Sequence, residues 1–429
     1  MHGRMIHTRN ATAGTLRSES QAYDVHGRFL RSVDRNELSK QLLDKLDTMP
    51  NVKLFFQQKL TGADFDAKKA WFEDLSARPA YSPENPSRRA PESEVTFDLM
   101  IGADGAHSAV RFHLMKFARV DYSQNYIDCL WSEFTMQPAL QVQSSQYPGG
   151  YQISPNHLHI WPAGSSMFIA LPTHGGSFVC TLFGTVALFN QLEAAAAAPS
   201  DKSAFTTLFD NLFPGVTSHI DADSLIAQFK RNPHLPLINI KVSPHHYKDA
   251  VVILGDSANA MVPFYGQGMN AGLESVHTLF SLIDRSKHAA SQQEAGFAPQ
   301  AHSDESIDWH DPAHCLAAAL REYTHTRVPD THAITDLALG NYDEMASGVV
   351  SRRYKLRKAI EETLYSWVPR LDWKTQYARV SFENERYSEV IAKTRRQGAV
   401  IDAVFNVVGV GAVGGVAWWV WRFTRIGRR

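Results

Sequence analysis

Four apolar residues, Val251-Val-Ile-Leu254, precede Gly255-Asp256 and then a glycine-bearing loop, Pro263-Phe-Tyr-Gly266-Gln-Gly268. A continuous apolar run of this kind marks a strand buried on both faces. The Asp256 carboxylate at its end can accept hydrogen bonds from sugar-like hydroxyls, and Gly266 and Gly268 let the backbone approach a flat ring closely. Leu273, Val276, Phe280 and Ile283 then recur at helical spacing. The N-terminus of such a helix offers free N–H groups and partial positive charge, which suits a cofactor that becomes negative during turnover. An ordinary strand-to-helix turn with an Asp near the cap accounts for the spacing equally well.

The elements that must position this loop alternate between strand and helix. Asn36 to Leu46 has helical spacing, Val52 to Phe56 reads as a strand, and Val95 to Gly102 as another, ending at Asp104-Gly105. Pro79, Pro83, Pro86 and Pro91 make 78–94 a loop insertion. Short β-like runs at Leu158–Trp161, Met167–Leu171 and Phe178–Phe183 predict a sheet-rich region, and Ala194 to Ala198 a helix end. Residues 286–312 are polar and of low complexity, a surface insertion, and Cys315 to Tyr387 reads as mostly helical. His157 and His159 share one strand face; without a third ligand they are packing residues and no metal site is assigned.

Composition limits the function classes. The chain has 429 residues, 43 Lys+Arg against 44 Asp+Glu, and a net charge of -1, which argues against a nucleic-acid-coating surface. Three scattered cysteines write neither a disulfide framework nor a zinc finger, and the first ten residues contain no secretory signal. Ala403 to Trp421 holds a single polar residue, Asn406, and is bracketed by basic residues, with Trp418, Trp419 and Trp421 at one end. A helix of that length spans roughly 30 Å, so a C-terminal transmembrane anchor is expected. Within it, Gly409-Val-Gly411-Ala-Val-Gly414 matches the dinucleotide fingerprint, but no second strand can follow, and it is rejected as a phosphate loop.

Gly255-Asp-Ser-Ala-Asn-Ala-Met-Val-Pro263-Phe-Tyr-Gly-Gln-Gly-Met-Asn270 resembles the second FAD-binding motif of the aromatic-hydroxylase flavoproteins. Asp98-Leu-Met-Ile-Gly-Ala-Asp104-Gly105-Ala-His-Ser-Ala-Val-Arg111 resembles their Asp-Gly motif. Arg4-Met-Ile-His7, Asp121-Tyr-Ser-Gln-Asn-Tyr-Ile127, His157-Leu-His-Ile-Trp-Pro162 and Asn341-Tyr-Asp-Glu-Met345 are similar to the kynurenine-hydroxylating branch of that family. The resemblance implies that NADPH reduces bound FAD, O2 reacts with the reduced flavin, and one oxygen atom passes to the ring of L-kynurenine. The ring's own amino group activates the carbon attacked, so no catalytic side chain and no metal is implied. Arg4, Tyr23, Asn341 and Tyr377 match residues that hold the amino-acid end of the substrate, which suits an α-carboxylate, and Phe264 and Tyr265 lie near its ring. Arg35, Asp104, Asp256, Pro263, Gly266, Gln267, Gly268, Met269 and Asn270 fall at cofactor-binding positions.

The implied architecture is α/β. A partial FAD-binding Rossmann-like segment (1–119) is followed by a sheet-rich substrate domain (120–245) and a returning FAD-binding segment (246–285). An insertion (286–312), C-terminal helices (313–398) and the anchor (399–421) complete it. The resemblance also implies the mitochondrial outer membrane, with the catalytic part facing the cytosol. Two departures stand out. Asn259 replaces the family's usual His, and Met1-His-Gly-Arg4 already lies past the family's Gly-x-Gly-x-x-Gly unit. The second predicts an unpaired sheet edge and weak FAD binding by the chain as given; a membrane-bound fragment without FAD is the rival reading to an active monooxygenase.

Overall fold

Residues 1–9, 15–78, 90–139, 146–197, 202–294, 311–346 and 351–403 are described by a computed structural model. The chain opens with β1 (Gly3–Arg9) and β2 (Leu16–Ala22), then α1 (Arg35–Asp47), β3 (Gln58–Asp64), β4 (Lys69–Asp74), β5 (Glu92–Thr96), β6 (Met100–Gly102) and α2 (Ala109–Phe117). The long strand β7 (Asp121–Met136) leads into β8 (His157–Ala163), β9 (Ser166–Pro172) and β10 (Phe178–Gly184). Helices α3 (Val186–Ala197), α4 (Lys202–Leu212) and α5 (Ala222–Arg231) follow, then β11 (Leu235–Ser243), β12 (His246–Tyr247) and β13 (Val251–Ile253). The rest is helical: α6 (Gly268–Glu294), α7 (Pro312–Ala346), α8 (Arg352–Trp367), α9 (Gln376–Phe382) and α10, described over 387–403.

Period-two alternation builds the central layer. In β9, Phe168 and Ala170 face one way and Met167 and Ile169 the other, so each face meets a different core. The seven-stranded sheet runs β11-β7-β10-β9-β8-β1-β2, antiparallel except for the β1–β8 pair. Beneath it, Phe134, Phe168, Phe189, Phe205, Phe209 and Phe229 are fully buried against α3, α4 and α5, each contributing about 1.5–3 kcal/mol of burial free energy. The opposite face packs on α7 and the 263–265 turn through Ile6, Ile160, Met167, Ile334 and Leu337. That face carries the candidate site. The sheet region extends to residues 3–22, which supply two of its strands.

The smaller sheet, β12-β13-β6, holds the strand that precedes the 255–270 loop: Val251, Val252 and Ile253 are fully buried, as a run without alternation requires. β6 pairs with β13 in parallel. Among the described residues β6 is an outer strand of this sheet, and its Ile101 is 38% exposed.

Several expectations need correction. Residues 52–56 form no strand; Phe55 and Phe56 stand exposed, and a strand has no ladder to join there. The continuous strand expected over 95–102 is two strands of different sheets, because β5 pairs with β4 and β6 with β13. The loop insertion is also shorter, since β5 starts at Glu92. Helix α1 forms as expected, capped by Asp34, whose carboxylate accepts from Asn36 and Glu37 N–H at 2.9 and 3.1 Å, but it buries no residue. Helix α6 runs through residues expected to be insertion, to Glu294. Its predicted stripe is only half right: Leu273 and Phe280 are exposed, while Leu279, Leu282 and Ile283 pack on Val252 and α7. No described helix is long and apolar enough to cross a membrane; of the expected anchor (399–421) residues 399–403 are described, and the rest, with all of its glycine motif, lies outside the described residues.

Gly102 is where α2 meets the parallel pair. A Cβ there would lie 2.8 Å from Val110 Cβ and 3.0 Å from Ile253 Cγ2. Gly102→Ala therefore forces α2 away from β13 and is expected to destabilise the fold by about 1–3 kcal/mol, read as a lower urea midpoint.

Candidate active site

Alternation along β1 turns Arg4 and Ile6 to the face that meets α7, and His7 to the face of the phenylalanine core. Arg4 is 5% exposed. Its guanidinium lies over the Tyr377 ring at 4.4 Å and within 5.9 Å of the Tyr23 ring, and Nη1 donates to Glu344 Oε1 at 3.1 Å. Tyr23, one residue beyond β2, stacks on Tyr377 at 5.3 Å, and Tyr377 stacks in turn near Tyr265 at 5.6 Å. Burial raises the pKa of all three phenols, against the Arg4 charge, so they remain hydrogen-bond donors.

The residues carrying these rings are fastened nearby. Arg28 bridges Asp24 and Glu383 at 2.8 Å each, tying the chain after Tyr23 to the end of α9. The buried Arg379 of α9 pairs with Asp372 at 3.0 Å and Glu385 at 2.7 Å. Asn341 of α7 donates from Nδ2 to the Phe264 carbonyl at 2.7 Å, while its Oδ1 is buried with no hydrogen-bond partner. Phe264 packs between Phe183 and Tyr342. Arg4, Tyr23 and Tyr377 line a cavity of about 310 Å³; Asn341 and Phe264 pack together near it without lining it.

The loop at 255–270 presents a second surface. Phe264, Tyr265 and Gln267 turn inward, whereas Asp256, Pro263, Gly266, Met269 and Asn270 are exposed. Gly266 has φ 66°, a left-handed conformation that favours glycine, and a Cβ on Gly268 would meet nothing. Gln267 is pinned through Oε1, which accepts from Asn270 Nδ2 at 3.1 Å and Tyr387 Oη at 3.3 Å. The Asp256 carboxylate receives no protein donor among the described residues; surrounding protein raises its pKa, and the charge of Arg35 pulls it back. An open shelf with an unspent carboxylate, a cation nearby and the α6 N-terminus fits a flavin ring and its sugar chain.

Asp104 has a different role. Oδ1 accepts from Ser108 Oγ at 2.5 Å and Ser257 Oγ at 3.0 Å; Oδ2 accepts from Ala109 N–H at 2.7 Å and Val110 N–H at 3.0 Å. Four donors occupy the carboxylate, so it staples the two motifs together while remaining exposed at the surface. Arg111 reinforces it, donating from Nη1 to the Ser257 carbonyl at 2.7 Å.

Glu344, Gln376 and the α8 residues at the cavity were not singled out from sequence. Glu344 was within reach, because it lies three residues after Asn341 on one helix; nothing in the spacing ties α8 to β1. His159 pairs with His7 rather than with His157: His7 Nε2 and His159 Nδ1 are 2.8 Å apart, and the Ser154 carbonyl lies 2.8 Å from His159 Nε2. A carbonyl can only accept, so His159 carries its proton on Nε2 and accepts from His7. Burial above all pushes His7 down to about 3 and His159 to about 4, so both pack as neutral rings.

The chain is 53% identical over 401 residues to the kynurenine 3-monooxygenase of Neurospora crassa, covering 94% of this chain and 74% of the relative. The chain belongs to the kynurenine 3-monooxygenase family. The Neosartorya fischeri enzyme is 50% identical over 426 residues, covering 99% of this chain and 77% of the relative. No protein-family model matches. Among solved structures, PqsL, a probable FAD-dependent monooxygenase from Pseudomonas aeruginosa, superposes with a TM-score of 0.53 at 16% identity, over 83% of this chain and 80% of its own. A point mutant of 2-methyl-3-hydroxypyridine-5-carboxylic acid oxygenase gives 0.52 at 14%, over 82% and 76%. At these identities the likeness establishes the shared fold.

Burial would raise the Asp104 pKa, but Ser108, the Val110 N–H and Ser257 outweigh it and hold the carboxyl below its ordinary range. A depressed folded pKa stabilises above the unfolded value, about 3.9, and that stabilisation is lost as pH falls through the folded value. Asp104→Asn turns an amide donor toward backbone donors and should cost about 1–3 kcal/mol at pH 7. The gap from wild type in denaturant titrations should close as pH drops below about 4.

Proposed function

We propose that this chain is a flavin-dependent monooxygenase that hydroxylates L-kynurenine to 3-hydroxykynurenine, with O2 as oxidant and NADPH as electron donor. One observation carries the reading: Arg4, Tyr23 and Tyr377, from three distant segments, meet at one cavity beside the 263–268 loop, in a chain about half identical to kynurenine 3-monooxygenases. Bound FAD would supply the chemistry that activates O2. Asp256, the Gly266 to Gly268 backbone, Met269 and Asn270 would hold its ring end, with Arg35 nearby.

The chain's own residues then position and exclude. Arg4 presents a fixed cation, kept in place by two aromatic faces and Glu344, to the substrate carboxylate. The protonated phenols of Tyr23 and Tyr377 add donors at the same end. Phe264 and Tyr265 wall off water, and Asn341 fixes the loop backbone that carries them. No residue here need act as a nucleophile, since the substrate's aromatic amine activates its own ring.

Because FAD binding by the chain as given is expected to be weak, the purified chain is assayed in excess FAD with NADPH, O2 and L-kynurenine, and it should yield a product carrying one added oxygen. NADPH oxidation without that product, or no NADPH oxidation at saturating FAD, would overturn the reading.

The apolar, Arg-flanked segment 403–421 supports attachment to a membrane, which we place at the mitochondrial outer membrane with the catalytic part on the cytosolic side. Deleting residues 400–429 should shift the protein from the pelleted membrane fraction to the supernatant; retention in the pellet places the anchor elsewhere.

A further inference from the structure

Helix α8 forms part of the cavity lining and brings Arg357, Lys358 and Glu361 to its wall. With Arg4 and Glu344, the lining holds three cations and two carboxylates, an excess of one positive charge. Two of the cations are already engaged, Arg4 with Glu344 at 3.1 Å and Arg357 with Glu361 at 3.0 Å. Lys358 is engaged weakly. Its Nζ donates to the Ala22 carbonyl at 3.3 Å, and the carboxylate it reaches on its own helix, Glu362, is 3.7 Å away. An ammonium has three donors, and with its side chain 23% exposed Lys358 makes only this long hydrogen bond and a distant ion pair to protein among the described residues. Burial lowers the Lys358 pKa, the nearby Arg4 adds to that effect, and Glu362 and Glu344 counter it. The Ala22 carbonyl that holds Nζ immediately precedes Tyr23, so the ammonium lies alongside the Arg4–Tyr23–Tyr377 wall.

We propose that Lys358 is a second cation for the substrate carboxylate, closing on it from α8 while Arg4 holds it from β1. Resting on the kynurenine reading above, this makes substrate selection a two-cation clamp. Glu344, beside Arg4, is placed to meet the α-ammonium. Arg4 alone already favours a carboxylate; a second cation deepens that preference for an amino acid over the corresponding amine. The competing role is structural, with Lys358 simply pairing with Glu362 along α8.

Calorimetric titration of the purified 429-residue chain tests the assignment. L-kynurenine is compared with its decarboxylated analogue, which keeps the aminophenyl ketone and the amine. Lys358→Met should weaken L-kynurenine binding by about tenfold or more, the loss expected for one charged hydrogen bond. It should leave the analogue unchanged, which also shows that the variant is folded, and Lys358→Arg should recover most of the loss. Equal weakening of both ligands, or no change for L-kynurenine, overturns the clamp and leaves the substrate reading intact when wild type binds L-kynurenine. A wild-type chain that ignores L-kynurenine but holds L-tryptophan in a Lys358-dependent way removes the substrate reading and keeps the clamp. Binding of neither amino acid overturns both.

Discussion

Burying the guanidinium of Arg4 constrains the site more than any other interaction. Stripping a cation of water costs several kcal/mol unless partners replace the solvent. On β1 no neighbour in sequence can do so. The replacement comes from Tyr23 after β2, Glu344 on α7 and Tyr377 on α9, which places the end of the β-sheet, the long helix and the C-terminal helices around one charge. Those partners are themselves secured by Arg28 with Asp24 and Glu383, and by Arg379 with Asp372 and Glu385. The result is a rigid cationic wall on a sheet face whose remaining residues are apolar.

The loop that follows β13 solves a different problem. It keeps one side open while remaining attached to the core. It does so by dividing its residues: Phe264, Tyr265 and Gln267 are anchored inside, while Asp256, Gly266, Met269 and Asn270 form the open side. Behind it, Asp104 and Arg111 lock Ser257, so the parallel β6–β13 pair and the loop move as one unit. Buried Arg327 of α7 extends this support, donating to the Ala271 carbonyl at 3.3 Å and Ser275 Oγ at 3.1 Å in the first turns of α6.

Much of this was legible before any coordinates. The continuous run at 251–254 marked a strand buried on both faces, and the α6 helix and strands β8 to β10 follow from apolar runs and spacing, because a face that meets a core must repeat with its element; α1 formed where its spacing placed it although it buries no residue. The two motifs at 98–111 and 255–270 pointed to the cofactor surface. The reading failed where local pattern competes with partner supply. Residues 52–56 have strand composition but no neighbour to pair with among the described residues, and residues 95–102 look continuous although their halves join different sheets. The apolar positions Leu273 and Phe280 were taken for core, yet α6 is rotated so that Leu279 and Leu282 are inside.

Local pattern alone supplied a carboxylate and two glycines between a buried strand and a helix, a property fixed by residue type and spacing over a few positions. The arginine, tyrosines and asparagine suited to an amino acid's polar end were legible only through the family resemblance. Tertiary structure alone decided which of them meet. It turned Asp104 into a staple, paired His159 with His7, seated Glu344 against Arg4, and carried Lys358 of α8 to the same cavity wall. Such pairings join residues more than a hundred positions apart, and they are set by the simultaneous burial of several faces, a constraint that no window of sequence contains.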